Sequence, residues 1–129
     1  MEQIKPATIL VVDDDEFNCK LLMKQLAVEG YAVRIATSGE EALAAVKEQL
    51  PDLILLDVMM PGIDGFEVAR RLKADSLTRC IPIVMVTALE DHESRLKGFE
   101  AGAEEFLSKP VCRAELQMRV KSLLKVKNA

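Results

Sequence analysis

The sequence predicts an α/β domain, a parallel sheet with helices on both faces. Three observations support this. Short apolar runs alternate with segments of helical period. Two of the runs, DLILLD (52–57) and IPIVMVTA (81–88), are nearly unbroken, the pattern of strands covered on both faces. The connections are short, and parallel strands need helical crossovers of right-handed sense.

In chain order, ATILVV (7–12) is the first predicted strand. Asp13, Asp14 and Asp15 follow it. A helix comes next, with Phe17, Leu21, Leu22, Leu26 and Val28 recurring at helical spacing and Gly30 as its stop. Asp15 is expected to cap that helix. YAVRIA (31–36) is strand-like. Ser38 with Glu41 forms a capping-box pattern ahead of Ala42, Leu43, Val46 and Leu50. DLILLD then ends at Asp57. MMPGIDG (59–65) is a turn built on Pro61 and Gly62, and Asp64 with Glu67 caps a helix running through Val68 and Leu72. After IPIVMVTA, a helix covers roughly 91–101 and closes near Gly102. EEFLS (104–108) is a short strand. ELQMRVKSLL (115–124) is the last helix, with Leu116, Val120, Leu123 and Leu124 on one face. Cys112 is a poor N-cap for it.

Five β/α units make one domain over residues 1–129, with a core over about 7–125. The expected fold is a flavodoxin-like (βα)5 doubly wound sandwich with strand order 2-1-3-4-5. Its crevice lies beyond the C-terminal ends of strands 1 and 3, where the order reverses.

The 129 residues suit a single core, and 50% are hydrophobic, which argues against disorder. The net charge of −4 disfavours nucleic acid as a direct partner. Cys19, Cys80 and Cys112 are odd in number and lack a CxxC spacing, so neither a disulfide framework nor a zinc site is indicated. His92, the one histidine, lies in a charged stretch and is expected to be solvated. There is no signal-peptide pattern and no apolar run of membrane-spanning length, so a cytoplasmic protein without membrane attachment is expected.

Asp13 and Asp14 follow strand 1, Asp57 ends strand 3, Thr87 ends strand 4 and Lys109 follows strand 5. Each interrupts an apolar run at the same edge of the sheet. Taken singly, Thr87 reads as a strand-end hydroxyl, Lys109 as a surface charge and Phe106 as core; the joint pattern is what points to a site. Carboxylates ~4 Å apart repel by about 4 kcal/mol per pair at an effective dielectric near 20, so a proton or a cation must offset them. An all-oxygen set with few protein ligands suits Mg²⁺ (or Mn²⁺) better than Ca²⁺. A carboxylate, a hard cation, an ammonium and a hydroxyl together are the equipment of phosphoryl transfer.

These motifs, an acidic pair in VVDD, an aspartate in LLDVMMPGIDG, the Thr-Ala of VTA and the Lys-Pro of LSKP, agree in order and spacing with one family. From about Thr8 to Leu124 the chain resembles the receiver (response regulator) domain of two-component signalling. It is similar to the chemotaxis response regulator and, in MMPGIDGFEVARRLK and the last helix, to receivers of diguanylate-cyclase regulators. The resemblance implies that Asp57 accepts a phosphoryl group from a sensor histidine kinase or a histidine phosphotransfer protein. It implies that Asp13, Asp14, Asp57 and the backbone carbonyl of Met59 hold Mg²⁺. Thr87 would hydrogen-bond the phosphoryl group, Lys109 would pair with it, and Phe106 would be the aromatic switch. Lys109-Pro110 would be cis. On this reading the protein is a signalling module and not an enzyme in its own right. The apolar Met59 and Leu89, two residues beyond Asp57 and Thr87, imply slow self-dephosphorylation. The surface of the fourth helix, fifth strand and last helix would carry the signal. Glu93, Arg95, Lys97, Glu100, Glu104, Arg119 and Lys121 lie there, and a homodimer with register set by these charges is one expectation. The 129 residues include no output domain of their own, so a stand-alone receiver and the receiver portion of a longer regulator are both expectations.

Two other readings compete with this one. A phosphatase of the haloacid dehalogenase type would make Asp13 of D-x-D the nucleophile, but it needs an acidic motif after Lys109. A flavin carrier would need a phosphate-cradling loop where the acidic one stands.

Overall fold

The computed structural model describes residues 6–88 and 92–127. Five strands and five helices alternate: β1 (Thr8–Val12), α1 (Glu16–Val28), β2 (Ala32–Ala36), α2 (Gly39–Glu48), β3 (Leu53–Leu56), α3 (Gly65–Ala74), β4 (Ile83–Thr87), α4 (His92–Ala101), β5 (Glu105–Ser108) and α5 (Arg113–Lys127). The sheet order is β2-β1-β3-β4-β5, all parallel, as expected.

Alternation along the strands divides the core into two layers. Leu10, Val12, Ile54, Leu56, Ile83, Met85 and Phe106 face one side, where residues from α2, α3 and α4 cover them. Ile9, Val11, Leu53, Leu55, Val84, Val86 and Leu107 face the other, under α1 and α5. β1, β3 and β4 are apolar on both faces because both faces are covered.

The helix starts follow their capping residues. Asp15 accepts from the N–H groups of Phe17 and Asn18, and Asp64 accepts from Glu67 N–H. Ser38 Oγ accepts from Glu41 N–H, while the Glu41 carboxylate reaches past Ser38 to the N–H and hydroxyl of Thr37. Gly30, Gly62 and Gly102 occupy the turns with positive φ, and Lys109-Pro110 is cis. Cys112 directly precedes α5, and its carbonyl accepts from Leu116 N–H.

The helix stands where the spacing places it, but the apolar residues at that spacing do not all mark its inner face. Cys19, Leu22 and Leu26 are the buried residues, whereas Phe17, Leu21 and Val28 are exposed. The Asp15 cap fixes the helix phase, and that phase turns Cys19 inward, where its thiol donates to Asp13 O at 3.2 Å. Leu50 lies beyond the end of α2 and is also exposed. Glu104 does not open β5. Its carboxylate accepts from Lys73, which also donates to the carbonyls of Arg79 and Ile81, so the end of α3 is tied to the approaches of β4 and β5.

These facts separate the two kinds of apolar residue on α1. Leu26→Ala, which opens a cavity at a fully buried position, is expected to cost about 2–5 kcal/mol in urea denaturation. Phe17→Ala should change stability by less than about 0.5 kcal/mol.

Candidate functional site

The site is built at the C-terminal ends of the central strands. β1 ends at Val12 and hands Asp13 to the edge, where its N–H donates to Ala36 O at 3.1 Å. β3 ends at Leu56, and Asp57 N–H donates to Val12 O at 2.9 Å. Asp13 and Asp57 are therefore fixed by the ladder itself on neighbouring strands. Both are buried, at 2% and 5% exposure, and Asp14 is exposed beside them. Ligand oxygens of Asp13, Asp14 and Asp57 all lie within 4.8 Å of one another.

Lys109 reaches the carboxylates from the end of β5. Its Nζ lies 2.9 Å from Asp13 Oδ2 and 3.4 Å from Asp57 Oδ2. The other oxygen of Asp13 accepts from Asp15 N–H at 2.9 Å. The backbone carries Lys109 to this place, because its N–H donates to Thr87 O at 3.0 Å where β4 and β5 end. Thr87 is buried, and the register Leu56↔Met85 sets it on the strand next to Asp57, at the same edge. Phe106 is buried one strand further out, opposite Met85. Thus Asp13, Asp14, Asp57 and Lys109 come together in one cluster, with Thr87 at its border and Phe106 behind it. Met59 is exposed at the mouth, and Leu89 lies outside the described residues.

The electrostatics follow from this placement. Burial pushes the Asp57 carboxyl up, the Asp13 charge pushes it further, and Lys109 and a Met59 backbone hydrogen bond oppose them; the result is a pKa of about 6. Burial works to lower the Lys109 ammonium, but its hydrogen bond to Asp13 and the charges of Asp57 and Asp13 outweigh that, and its pKa is raised. Beneath the site, burial and then the Asp13 charge push the Cys19 thiol to about 11, so it is an inert packing residue.

The chemistry of the donor set fits a hard divalent cation. Three carboxylates offer oxygen only, two of them are held rigidly, and one ammonium does not neutralise the set. The residues able to hold Mg²⁺ or Mn²⁺ are Asp13, Asp14 and Asp57.

Two supports of the site are not legible as such in the sequence. Gly65, the first residue of α3, lies so close to the backbone of Asp57 and Val58 that a Cβ would overlap Asp57 O and stand 2.9 Å from Val58 Cα. Its N–H donates to Val58 O at 2.9 Å, closing the 58–64 loop against the strand end. Gly39, at the start of α2, takes Ile63 of the same loop, with a Cβ there 2.5 Å from Ile63 Cγ1. Both glycines stand in the sequence as turn or helix-start residues. Their close approach depends on which loop folds over them.

The raised pKa of Asp57 sets a pH dependence. With the folded value near 6 and the ordinary value 3.8, the unfolded state releases its proton first as pH rises. Burial of Asp57 therefore carries no charge penalty below about pH 4, and stability falls as pH rises from there through 6. In EDTA, Asp57→Asn is expected to be more stable than wild type by about 3 kcal/mol at pH 8. The difference should vanish toward pH 4, as measured by urea denaturation across the range.

The sequence model of the response regulator receiver domain matches residues 9–121. Over 121 residues the chain is 52% identical to the response regulator PleD of Caulobacter vibrioides, covering 94% of this chain and 27% of PleD. It is 44% identical over 125 residues to the transcriptional regulatory protein ResD of Bacillus subtilis, covering 97% of this chain and 51% of ResD. The chain thus spans between about a quarter and a half of these relatives. Among solved structures, a CheY-like response regulator receiver domain protein from Methanospirillum hungatei JF-1 superposes with a TM-score of 0.90 at 29% identity, covering 96% of this chain and 98% of that one. A signal receiver domain of a signal transduction histidine kinase from Syntrophus aciditrophicus gives 0.86 at 34% identity, over 92% and 90%. The strand order, the acidic cluster at the switch point and these matches agree, and the chain belongs to the response regulator receiver domain family of two-component systems.

Proposed function

We propose that Asp57 is the phosphoryl acceptor of this receiver and that Asp13, Asp14, Asp57 and the Met59 carbonyl hold Mg²⁺ (or Mn²⁺) beside it. The observation that carries this is the pairing of one buried carboxylate, Asp57, with both a second buried carboxylate and the Lys109 ammonium. Asp57 Oδ attacks phosphorus, a P–O bond forms as the donor's P–N bond breaks, and the electron pair leaves with the histidine nitrogen. Bound Mg²⁺ would supply charge neutralisation to the phosphoryl oxygens. Lys109 stands 3.4 Å from Asp57 and can turn from the carboxylates to the incoming anion. Asp13 has one oxygen engaged by Lys109 and the other by Asp15 N–H, which suits a positioning carboxylate better than a nucleophile.

The donor would be a sensor histidine kinase or a histidine phosphotransfer protein. A groove of about 380 Å³ between α1 and the turn after β5 reaches Lys109 and is lined by Leu21, Leu22, Pro110 and Val111, giving such a protein an apolar footing beside the site. The protein acts as a signalling module and turns over no substrate of its own beyond its phosphoryl group. Phosphorylation replaces a carboxylate of one negative charge with an acyl phosphate of roughly 1.5 to 2, a net gain of about one or less, carried on oxygens that stand further out at the mouth. Thr87 follows the phosphoryl group, Phe106 occupies the space it leaves, and the α4/β5/α5 surface changes. Leu96, Phe99 and Met118 are large apolar residues exposed on α4 and α5, which suits a homodimer through this face. Its charges are less available than the sequence suggests. Glu104 is held by Lys73, Arg119 pairs with Glu105, and Lys97 lies over the Phe66 ring at 4.9 Å. No helix among the described residues is long and apolar enough to cross a membrane, which is consistent with signalling from the cytoplasm.

Acetyl phosphate with Mg²⁺ is expected to add the mass of one phosphoryl group to wild type and none to Asp57→Asn or in EDTA. Absence of that gain, or label on Asp13, would overturn the assignment. Asp13→Asn and Asp14→Asn should each lower the rate at least tenfold, whereas Asp15→Ser, which keeps an N-cap oxygen, should change it less than about twofold. Once formed, the phosphorylated protein should persist for minutes or longer by Phos-tag decay, because Met59 offers an attacking water no polar group; loss within seconds would contradict this. Gly65→Ala, by displacing the loop over Asp57, should reduce phosphorylation at least tenfold in the same assay.

A further inference from the structure

We infer that Gly98 is the seat of the Phe106 ring and makes the position of that ring and the position of α4 a single variable. α4 has only two buried residues, Gly98 and Ala101. It therefore lacks the large apolar anchors that Leu22 and Leu26 give α1 or Phe66, Val68 and Leu72 give α3. What meets the backbone of Gly98 is the ring itself. A Cβ on Gly98 would lie 2.8 Å from Phe106 Cε2 and closer still to Cζ. The ring is held there by Phe99 edge-on, with centroids 5.2 Å apart, and by Arg95 at 5.8 Å from its centre. Three positions of one helix, at 95, 98 and 99, thus enclose the ring from β5.

A glycine in mid-helix is unfavourable relative to alanine, so its presence at the point of closest approach has to be balanced by something alanine would forbid. That something is the inward ring. With Gly98, the backbone of α4 rests directly on the ring. When the ring leaves, α4 loses what lies beneath Gly98; when α4 lifts, the ring loses its lid. Gly98 is a positioning residue in this device and touches none of the reacting groups.

The inference extends the proposed switch and rests on that reading only for its consequence in phosphorylation. The coupling itself is measurable in the unphosphorylated protein. Amide hydrogen exchange over residues 92–101 is compared in wild type, Gly98→Ala, Phe106→Leu and the double variant. Leucine removes Cε and Cζ and leaves room for a methyl at position 98. Gly98→Ala is expected to speed exchange in α4 at least tenfold when Phe106 is present. In the Phe106→Leu background it should leave exchange unchanged or slow it, because there alanine simply favours helix. An equal effect in both backgrounds would overturn the inference. If Gly98→Ala alone fails to fold, folding of the double variant supports it, and failure of both overturns it. Where wild type accepts phosphate on Asp57, Gly98→Ala, which evicts the ring from its resting seat, should also raise the phosphorylated fraction at fixed acetyl phosphate at least threefold, and Phe106→Leu should remove most of that difference. A background-dependent exchange effect in a protein that takes no phosphate would sink the proposed function and leave the coupling standing.

Discussion

The contact on which the site depends is the one between Lys109 Nζ and the two buried carboxylates Asp13 and Asp57. Two like charges fixed on adjacent strands repel strongly in a partly dry site. Neither can move away, because each is bonded through its own backbone N–H to a neighbouring strand. A single ammonium offsets part of the repulsion and leaves Asp57 with a pKa near 6. The geometry thereby leaves the site short of positive charge. That shortage favours a divalent cation, and a carboxylate that is costly to keep ionised gains from any partner that spreads its charge.

The surrounding structure serves to hold this conflict in place. Parallel pairing of β1 with β3 aligns Asp13 and Asp57, and pairing of β4 with β5 delivers both Thr87 and Lys109. Gly65 and Gly39 let the loop after β3 and its Ile63 close down without a side chain between them. Cys19 seals the floor with its thiol on Asp13 O. The parts that stand outside this frame are different in kind. α4 buries only the small residues Gly98 and Ala101, and Phe99 and Leu96 remain exposed on it. A rigid charged centre beside a lightly held helix is a reasonable construction for converting a local charge change into a change of surface.

The residues whose surroundings the sequence pattern leaves open share a physical reason. Phe17, Leu21 and Val28 have helical spacing, yet they face out, and Cys19 takes the inner position. Periodicity gives a stripe, and the Asp15 cap and the depth of the neighbouring sheet decide which stripe is turned in. Glu104 reads as part of a strand and of a dimer face, but Lys73, 31 residues away, claims it. Lys97 and Arg119 likewise have partners within the chain. Those pairings join elements far apart in the chain, so no local pattern reports them.

By itself the sequence determined the order of strands and helices, the N-caps at Asp15 and Asp64, and the row of polar residues at the strand ends. Each of these depends on near neighbours or on the rule that a buried parallel strand must be apolar on both faces. Even the grouping of Asp13, Asp14, Asp57 and Lys109 was legible, because a doubly wound sheet admits few strand orders and all of them bring those ends to one edge. Only the tertiary structure decided which carboxylates Lys109 touches, how far Asp57 is perturbed, and why residues 39, 65 and 98 are glycine. Those outcomes turn on distances of a few ångströms between segments tens of residues apart. A missing side chain leaves no pattern in a sequence, and its meaning appears only when the atoms that occupy its space are known.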